Sequence, residues 1–208
     1  MHWDILDQQR TDFLPSCAFT KAQGFYLAGG TGLALQIGHR DSIDFDFFTQ
    51  GDIIPDEVFA SLASAADGHK FTIIQKEKNT LSVVVDDTIT LSFFGYHYPL
   101  LFPLIESSAF SIASVRDIGA MKLSAITSRS LEKDYVDLYY ILQTCSLADM
   151  LGDAKQKFPE LDQSVILKAL VYFDDVEQEH ILFKNGYARE LTVVKAFLRD
   201  KVKALLAP

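Results

Sequence analysis

Asp44 and Asp46 stand one residue apart in the stretch Ser42-Ile43-Asp44-Phe45-Asp46-Phe47-Phe48. Ile43, Phe45 and Phe47 alternate with Ser42, Asp44 and Asp46, which is the period of a β-strand. Both carboxylates should therefore project from one face while the phenylalanines turn to a core. Two like charges this close oppose each other's ionisation in a dry site, and a divalent cation relieves the conflict. Ligation by oxygen alone, completed by water and phosphate oxygens, is the magnesium pattern. The bland alternative is a solvated edge strand carrying two chance acids.

Upstream, Gly29-Gly30-Thr31 ends the apolar run GFYLAGG and opens an amphipathic segment. Missing side chains let a phosphate approach the backbone, the first N–H groups of a helix are free to bind it, and Thr31 adds a hydroxyl. A phosphate cradle facing an acidic pair suits a nucleoside triphosphate. Other phosphate and hydrolase motifs fail. There is no GxxxxGK[ST], no GxSxG and no HExxH, and a GxGxxG beginning at Gly30 meets Leu35 where glycine is required.

The elements that must position these groups follow from periodicity. Residues 4–22 read as a helix, GFYLAGG as a short strand, and TGLALQIGHR as a helix stopped by Gly38. A helix from Pro55, alternating runs around 71–73, 81–85 and 89–93, and a hairpin turn at Asp86-Asp87 complete the sheet region. Ser114 and Asp117 have capping-box spacing at the start of SVRDIGAMKLSAITSR. Helices follow over LEKDYVDLYYILQTC and near 147–157, 162–172, 174–184 and 187–206. The expected class is α+β: a mixed sheet with flanking helices over residues 1–110, then a helical domain over 111–208 that closes the nucleotide cleft.

The chain has 208 residues, 49% of them hydrophobic and 23% charged, an ordinary globular composition. It shows no apolar run of transmembrane length and no apolar signal segment at its N-terminus, so a cytoplasmic protein with no membrane contact is expected. Cys17 and Cys145 lie far apart without metal or redox spacing and read as buried free thiols. A net charge of −9 repels phosphate backbones on average, so any nucleic-acid contact must use a local basic patch.

Gly30-Thr31, twelve residues, then Asp44-x-Asp46 resembles the signature of the DNA polymerase β-like nucleotidyltransferase superfamily. The longer string YLAGGTGLALQIGHRDSIDFDFF resembles the AbiEii/AbiGii toxin family of nucleotidyltransferase-like proteins. The likeness continues in VRDIGAMKLSAITSRSLEKDYVDLYYIL and more faintly in ALVYFDDVE and LTVVKAFLRDKV. It implies an abortive-infection or toxin–antitoxin toxin partnered by a DNA-binding antitoxin encoded nearby. It further implies transfer of a nucleotide from a triphosphate to RNA, tRNA among the acceptors, or to another hydroxyl.

On that resemblance Asp44 and Asp46 are catalytic and hold magnesium, in a two-metal arrangement. Gly29, Gly30 and Thr31 cradle phosphates. Arg40 and Ser42 lead into the acidic strand, and Arg40 could bind a phosphate, pair with the acids, or form a surface salt bridge. His39 reads as a helix-end or packing residue rather than a ligand. Lys122, in an apolar helix, either snorkels to water or points into the cleft, and the resemblance favours the cleft. Lys133, Asp134 and Asp137 share one side of a helix and could present a cation and two acids to the nucleotide, against the alternative of a solvated i,i+4 pair. Arg129 adds positive charge.

One departure stands out. The superfamily's third carboxylate comes from a later strand, and the corresponding position here holds Ser92, while Asp86 and Asp87 fall at a turn. A nucleotide-binding module that has lost turnover and acts through a partner protein is therefore the rival expectation.

Overall fold

Strands with an apolar residue at every second position are stable only where those residues share a dry face, and the sheet obeys that rule. The structure is a computed structural model and describes residues 1–207; Pro208, the last residue of the expected helical half, lies outside them. The sheet contains β1 (Tyr26–Leu27), β2 (Asp44–Thr49), β3 (Phe71–Glu77), β4 (Thr80–Val85), β5 (Ile89–Gly95), β6 (Ile105–Glu106) and β7 (Ser111–Ile112). Their spatial order is β3-β4-β5-β2-β1-β7-β6. The β2–β5 and β1–β7 pairs are parallel and the others antiparallel.

Before the sheet come α1 (Gln8–Phe13) and α2 (Phe19–Ala22); α3 (Gly29–Ile37) joins β1 to β2, and α4 (Pro55–Ala65) joins β2 to β3. After it come α5 (Val115–Ala125), α6 (Glu132–Thr144), α7 (Leu147–Lys157), α8 (Gln163–Ala169) and α9 (Leu191–Leu206). Phe45, Phe47, Leu91 and Phe93 are buried in one core with Val58 and Leu62 of α4. A second core joins α5, α6, α7 and α9 to Tyr26, Ala28 and Leu33. The two cores meet across β1 and α3, so the glycine turn between those elements is held from both sides.

Local signals are realised where the chain makes its own bonds. Gly38 adopts φ +74° and ends α3. Asp86 and Asp87 turn the β4–β5 hairpin at φ 48° and 60°, the left-handed pair such a turn requires. Ser114 caps α5 and accepts from the Asp117 backbone N–H.

Three expectations fail. The segment 4–22 is not one helix: Asp7 caps a fresh start by accepting from the Arg10 backbone N–H, and Pro15, lacking an N–H, opens a 3-10 turn at Leu14–Cys17. Ile43 lies ahead of β2 and is exposed instead of extending the apolar face. Its carbonyl accepts from Arg10 Nε at 2.9 Å, which anchors the entry to the acidic strand.

The third failure has more consequence. No helix forms over 174–184, and the last helix begins at Leu191 instead of 187. Residues 177–184 are a strap paired through backbone bonds to residues 130–132 at one end and 39–41 at the other. Left-handed backbone at Asn185 and Gly186 then turns the chain toward α9.

Cys17 is buried, and burial pushes its thiol up to about 12; Cys145 is only half-buried, and both are free. Among the described residues no helix is long and apolar enough to cross a membrane.

Asp117 ties the sheet to the helical half. It is fully buried and accepts from the backbone N–H of Leu101 at 2.9 Å and of Phe102 at 3.1 Å. Lys157 Nζ, also fully buried, donates to it at 2.9 Å and to the Pro99 carbonyl. Removing one partner strands the other charge in a dry interior. Asp117→Ala is expected to cost about 3–5 kcal/mol in chemical denaturation, and Lys157→Met added to it should recover part of that loss. A single variant as stable as wild type would show that this tie carries no energy.

Candidate active site

The turn between β1 and α3 and the face of β2 make the floor of a cavity of about 700 Å³. Asp44 is exposed and Asp46 half-buried on one face of β2, with Phe45 and Phe47 buried on the other, as alternation requires. The Ala28 N–H donates to the Asp46 carbonyl at 2.9 Å, so the glycine turn and the acidic strand are locked to each other.

The glycines admit the site's own polar groups. Gly29 has φ +62°, and a Cβ there would lie 2.6 Å from Asp46 Oδ2; a Cβ on Gly30 would lie 2.5 Å from Arg40 Nη2 and 3.0 Å from Ser42 Oγ. Gly29, Gly30, Arg40, Ser42, Asp44 and Asp46 all line the cavity. Thr31 does not. It is buried, and its hydroxyl donates to the Asp44 carbonyl and meets Ser42 Oγ at 2.9 Å, so it braces the acidic strand instead of offering itself to a phosphate.

The helical half gives the cavity a cationic wall, lined by Lys122, Arg129 and Lys133. Behind them Asp134 and Asp137 are fully buried and do not line the cavity, against the expectation that they face the nucleotide. Asp137 takes both arms of Arg40, from Nε and Nη2 at 2.8 Å each, together with Lys122 Nζ at 2.7 Å and His39 Nε2 at 2.8 Å. Asp134 meets Lys122 Nζ at 2.6 Å and Arg129 Nε at 2.9 Å. Arg40 is thus neither a surface ion pair nor a partner of the β2 acids, and His39 is a buried packing residue. Lys133 pairs with Glu179 at 3.0 Å.

Electrostatics separate the two carboxylate groups. Burial and the neighbouring Asp44 push the Asp46 carboxyl up, while Lys122, Arg129 and Lys133 pull it back in part. Burial also opposes charge on Asp137, but Arg40 and Lys122 overcome it and hold that carboxyl well below 3.8. Burial works against the Arg40 charge in turn, and Asp137 outweighs it, raising the guanidinium pKa.

The β2 pair fits a hard divalent cation: two carboxylates on one face, one of them short of counter-charge, with room beside them for water and phosphate oxygens. Ser92 sits in register with Asp46 on the parallel neighbour β5, and its hydroxyl meets Ser82 Oγ at 3.0 Å. Asp86 and Asp87 are engaged by His69 and Lys70 at the far turn. Among the described residues no cluster of three or more metal-ligating side chains forms.

Sequence reading missed the strap, whose Glu179, His180, Ile181 and Leu182 line the cavity. It also missed Asp41, which lines the cavity beside Arg40 and pairs with Lys184 at 3.1 Å. The helical spacing read over 174–184 hid the strap, since its placement comes from backbone pairing with distant segments. The only sequence signal there is the faint family likeness of ALVYFDDVE, which stops short of Glu179.

Two outcomes follow. Gly29→Ala should cost about 1–2 kcal/mol from its left-handed backbone alone and displace Asp46 as well. The check is a lowered melting temperature. Folding lowers the Asp137 pKa, so its stabilising contribution is complete above the ordinary value of 3.8 and is lost as pH falls through and below it. Asp137→Asn should cost about 3–5 kcal/mol at neutral pH by leaving Arg40 buried without a carboxylate and Lys122 with Asp134 alone. Its urea midpoint should also fall less steeply than that of wild type below about pH 4.

The profile of the family described as "Nucleotidyl transferase AbiEii toxin, Type IV TA system" matches residues 12–207. An uncharacterized protein of Aquifex aeolicus is 36% identical over 189 residues, 88% of each chain. Among solved structures, the nucleotidyltransferase toxin MenT4 of Mycobacterium tuberculosis superposes with a TM-score of 0.63 at 16% identity, covering 96% of this chain and 82% of that one. JHP933 of Helicobacter pylori superposes with a TM-score of 0.58 at 18% identity, covering 96% and 93%. At these identities the structural likeness is one of fold, and it agrees with the α+β class expected from periodicity. With nearly the whole length matched, the chain belongs to the AbiEii family of nucleotidyl transferase toxins.

Proposed function

We propose that the protein is a magnesium-dependent nucleotidyltransferase that moves a nucleotide from a nucleoside triphosphate to a hydroxyl of RNA, tRNA among the candidates. In this reading it is the toxin of a cytoplasmic toxin–antitoxin pair whose antitoxin is a DNA-binding protein encoded nearby. Its residues 1–110 hold the nucleotide and metal, and the helical half over 111–208 closes over them. One observation carries the reading: Asp44 and Asp46 share a strand face, at a glycine turn, and line one cavity with Lys122, Arg129 and Lys133.

Each part has a role in the chain's own chemistry. The first turn of α3, bare of side chains at Gly29 and Gly30, offers backbone N–H groups to phosphate oxygens. Lys122 and Arg129, braced from behind by Asp134 and Asp137, spread positive charge over the triphosphate. A metal held by Asp44 and Asp46 would cancel charge on the phosphates and polarise the attacking hydroxyl. The acceptor oxygen bonds to the α-phosphorus as the bond to pyrophosphate breaks, an in-line displacement in which positioning and electrostatics do most of the work. Ser92 holds the position beside Asp46, and Asp137 is buried behind Lys122, so neither supplies a base, and the hydroxyl's proton passes to solvent water.

That serine also favours a second reading, a module that binds nucleotide without turnover and acts through a partner protein. Incubating the protein with labelled triphosphates, magnesium and total RNA separates the two. Label transfer is expected, and Asp44→Ala should reduce it by about 10²-fold or more, the scale of losing one group that stabilises transition-state charge. Metal-dependent nucleotide binding with no transfer to any RNA would favour the second reading; absence of both would defeat each of them.

A further inference from the structure

The strap is fixed, and it faces the cavity. The Glu177 N–H donates to the Ser130 carbonyl at 2.8 Å and its carbonyl accepts from the Glu132 N–H at 3.1 Å. At the other end Leu182 accepts from the Asp41 N–H at 2.8 Å, and the Lys184 N–H donates to the His39 carbonyl at 3.0 Å. Between these pins, Glu179, Ile181 and Leu182 form part of the cavity wall.

Glu179 is short of donors. Its Oε1 lies 3.0 Å from Lys133 Nζ, while its Oε2 is buried with no hydrogen-bond partner. A buried carboxylate oxygen without a donor is costly, and the last torsion of a glutamate is a soft, roughly two-fold rotor that can bring either oxygen to the cavity. Three residues along the strap Leu182, which also lines the cavity, is 54% exposed, a large apolar side chain left open. An acceptor with negative charge next to apolar surface repels phosphate and attracts the uncharged, donor-bearing half of a nucleotide.

Resting on the reading that this cavity takes a nucleotide, we propose that Glu179 accepts a hydrogen bond from an O–H or N–H of the nucleoside half, and that the strap end is the nucleoside subsite. The nucleotide then lies with its triphosphate at Gly29-Gly30 and its ribose and base toward residues 179–182. Glu179 determines binding and specificity here, and bond making is left to the groups around Asp44 and Asp46.

Calorimetric titration with magnesium tests this, using the four nucleoside triphosphates, their 2′-deoxy and 3′-deoxy forms, and tripolyphosphate as a probe without a nucleoside. Glu179→Ala should weaken triphosphate binding about tenfold or more, the scale of a hydrogen bond to a charged group, and leave tripolyphosphate within about twofold. If a deoxy form binds wild type as weakly as Glu179→Ala binds the parent, the donor is a ribose hydroxyl. If a preference among bases disappears in Glu179→Ala, the donor is on the base. Melting temperatures report folding, and Glu179→Met, which keeps the length and removes both acceptor oxygens, gives the same comparison should the alanine variant unfold.

Equal affinities for wild type and Glu179→Ala would overturn the subsite while leaving nucleotide binding intact. So would a matching loss for tripolyphosphate, which would place the effect on the phosphates through Lys133. Wild-type protein that binds no triphosphate at all would overturn the nucleotide reading itself.

Discussion

Everything at the site depends on a knot of buried charge in which Asp137 holds Arg40, Lys122 and His39, and Asp134 holds Lys122 and Arg129. Burying ion pairs is poor value for stability, since the desolvation they suffer rivals the attraction they gain. Their effect here is positional. The knot joins the α3–β2 connection to α5 and α6 through side chains that have no other partners of comparable strength. It fixes the spacing between the acidic floor and the cationic wall. Loosening it would free Arg40 and Lys122 to pair with the acids that line the cavity, Asp44 and Asp46 among them, and the cavity would neutralise itself.

Backbone constraint does the same work on the floor. Arg10 holds the carbonyl of Ile43, Thr31 holds the carbonyl of Asp44, and the carbonyl of Asp46 accepts from Ala28. The acidic strand is thus fastened at three successive points, and its carboxylates keep a common direction without being tied down themselves. Glycines at 29 and 30 are the complement of this arrangement: they leave volume that Asp46 and Arg40 occupy. Substrate sites that rely on electrostatic preorganisation need this separation, in which bound groups are rigid and the reactive faces stay open.

What was legible in the sequence was whatever the chain decides locally. The alternation of β2 from Asp44 onward, the Asp86-Asp87 hairpin, the Gly38 stop and the Ser114 half of the capping box each depend on a few neighbouring residues and formed as read, whereas the Asp117 carboxylate turns to Leu101 and Phe102. Asp134 and Asp137 could be assigned to one side of α6, but not to its inside or outside. Every residue from Asp134 to Leu142 is buried, so no polar stripe marks which face meets solvent. The strap failed for a different reason. Its residues have helix-like spacing, and pairing with segments more than forty positions away overrides that preference. The N-terminal segment failed because a cap and a proline interrupt a pattern that periodicity alone treats as continuous.

Charge balance gives the strongest argument for a cation in the proposed chemistry. Among the described residues, Arg40, Lys122, Arg129 and Lys133 line the cavity against Asp41, Asp44, Asp46 and Glu179. These cancel in number, but Asp134 and Asp137 stand directly behind the cations and tip the site negative. A polyanionic triphosphate entering such a site meets net repulsion, on a chain that already carries −9. In that chemistry divalent charge at Asp44 and Asp46 would reverse the sign where the phosphates lie, and it would offset the burial and the Asp44 repulsion that push the Asp46 carboxyl up. In the proposed chemistry the buried acids that look wasteful for phosphate binding would then have a consequence: they would make nucleotide capture conditional on the metal.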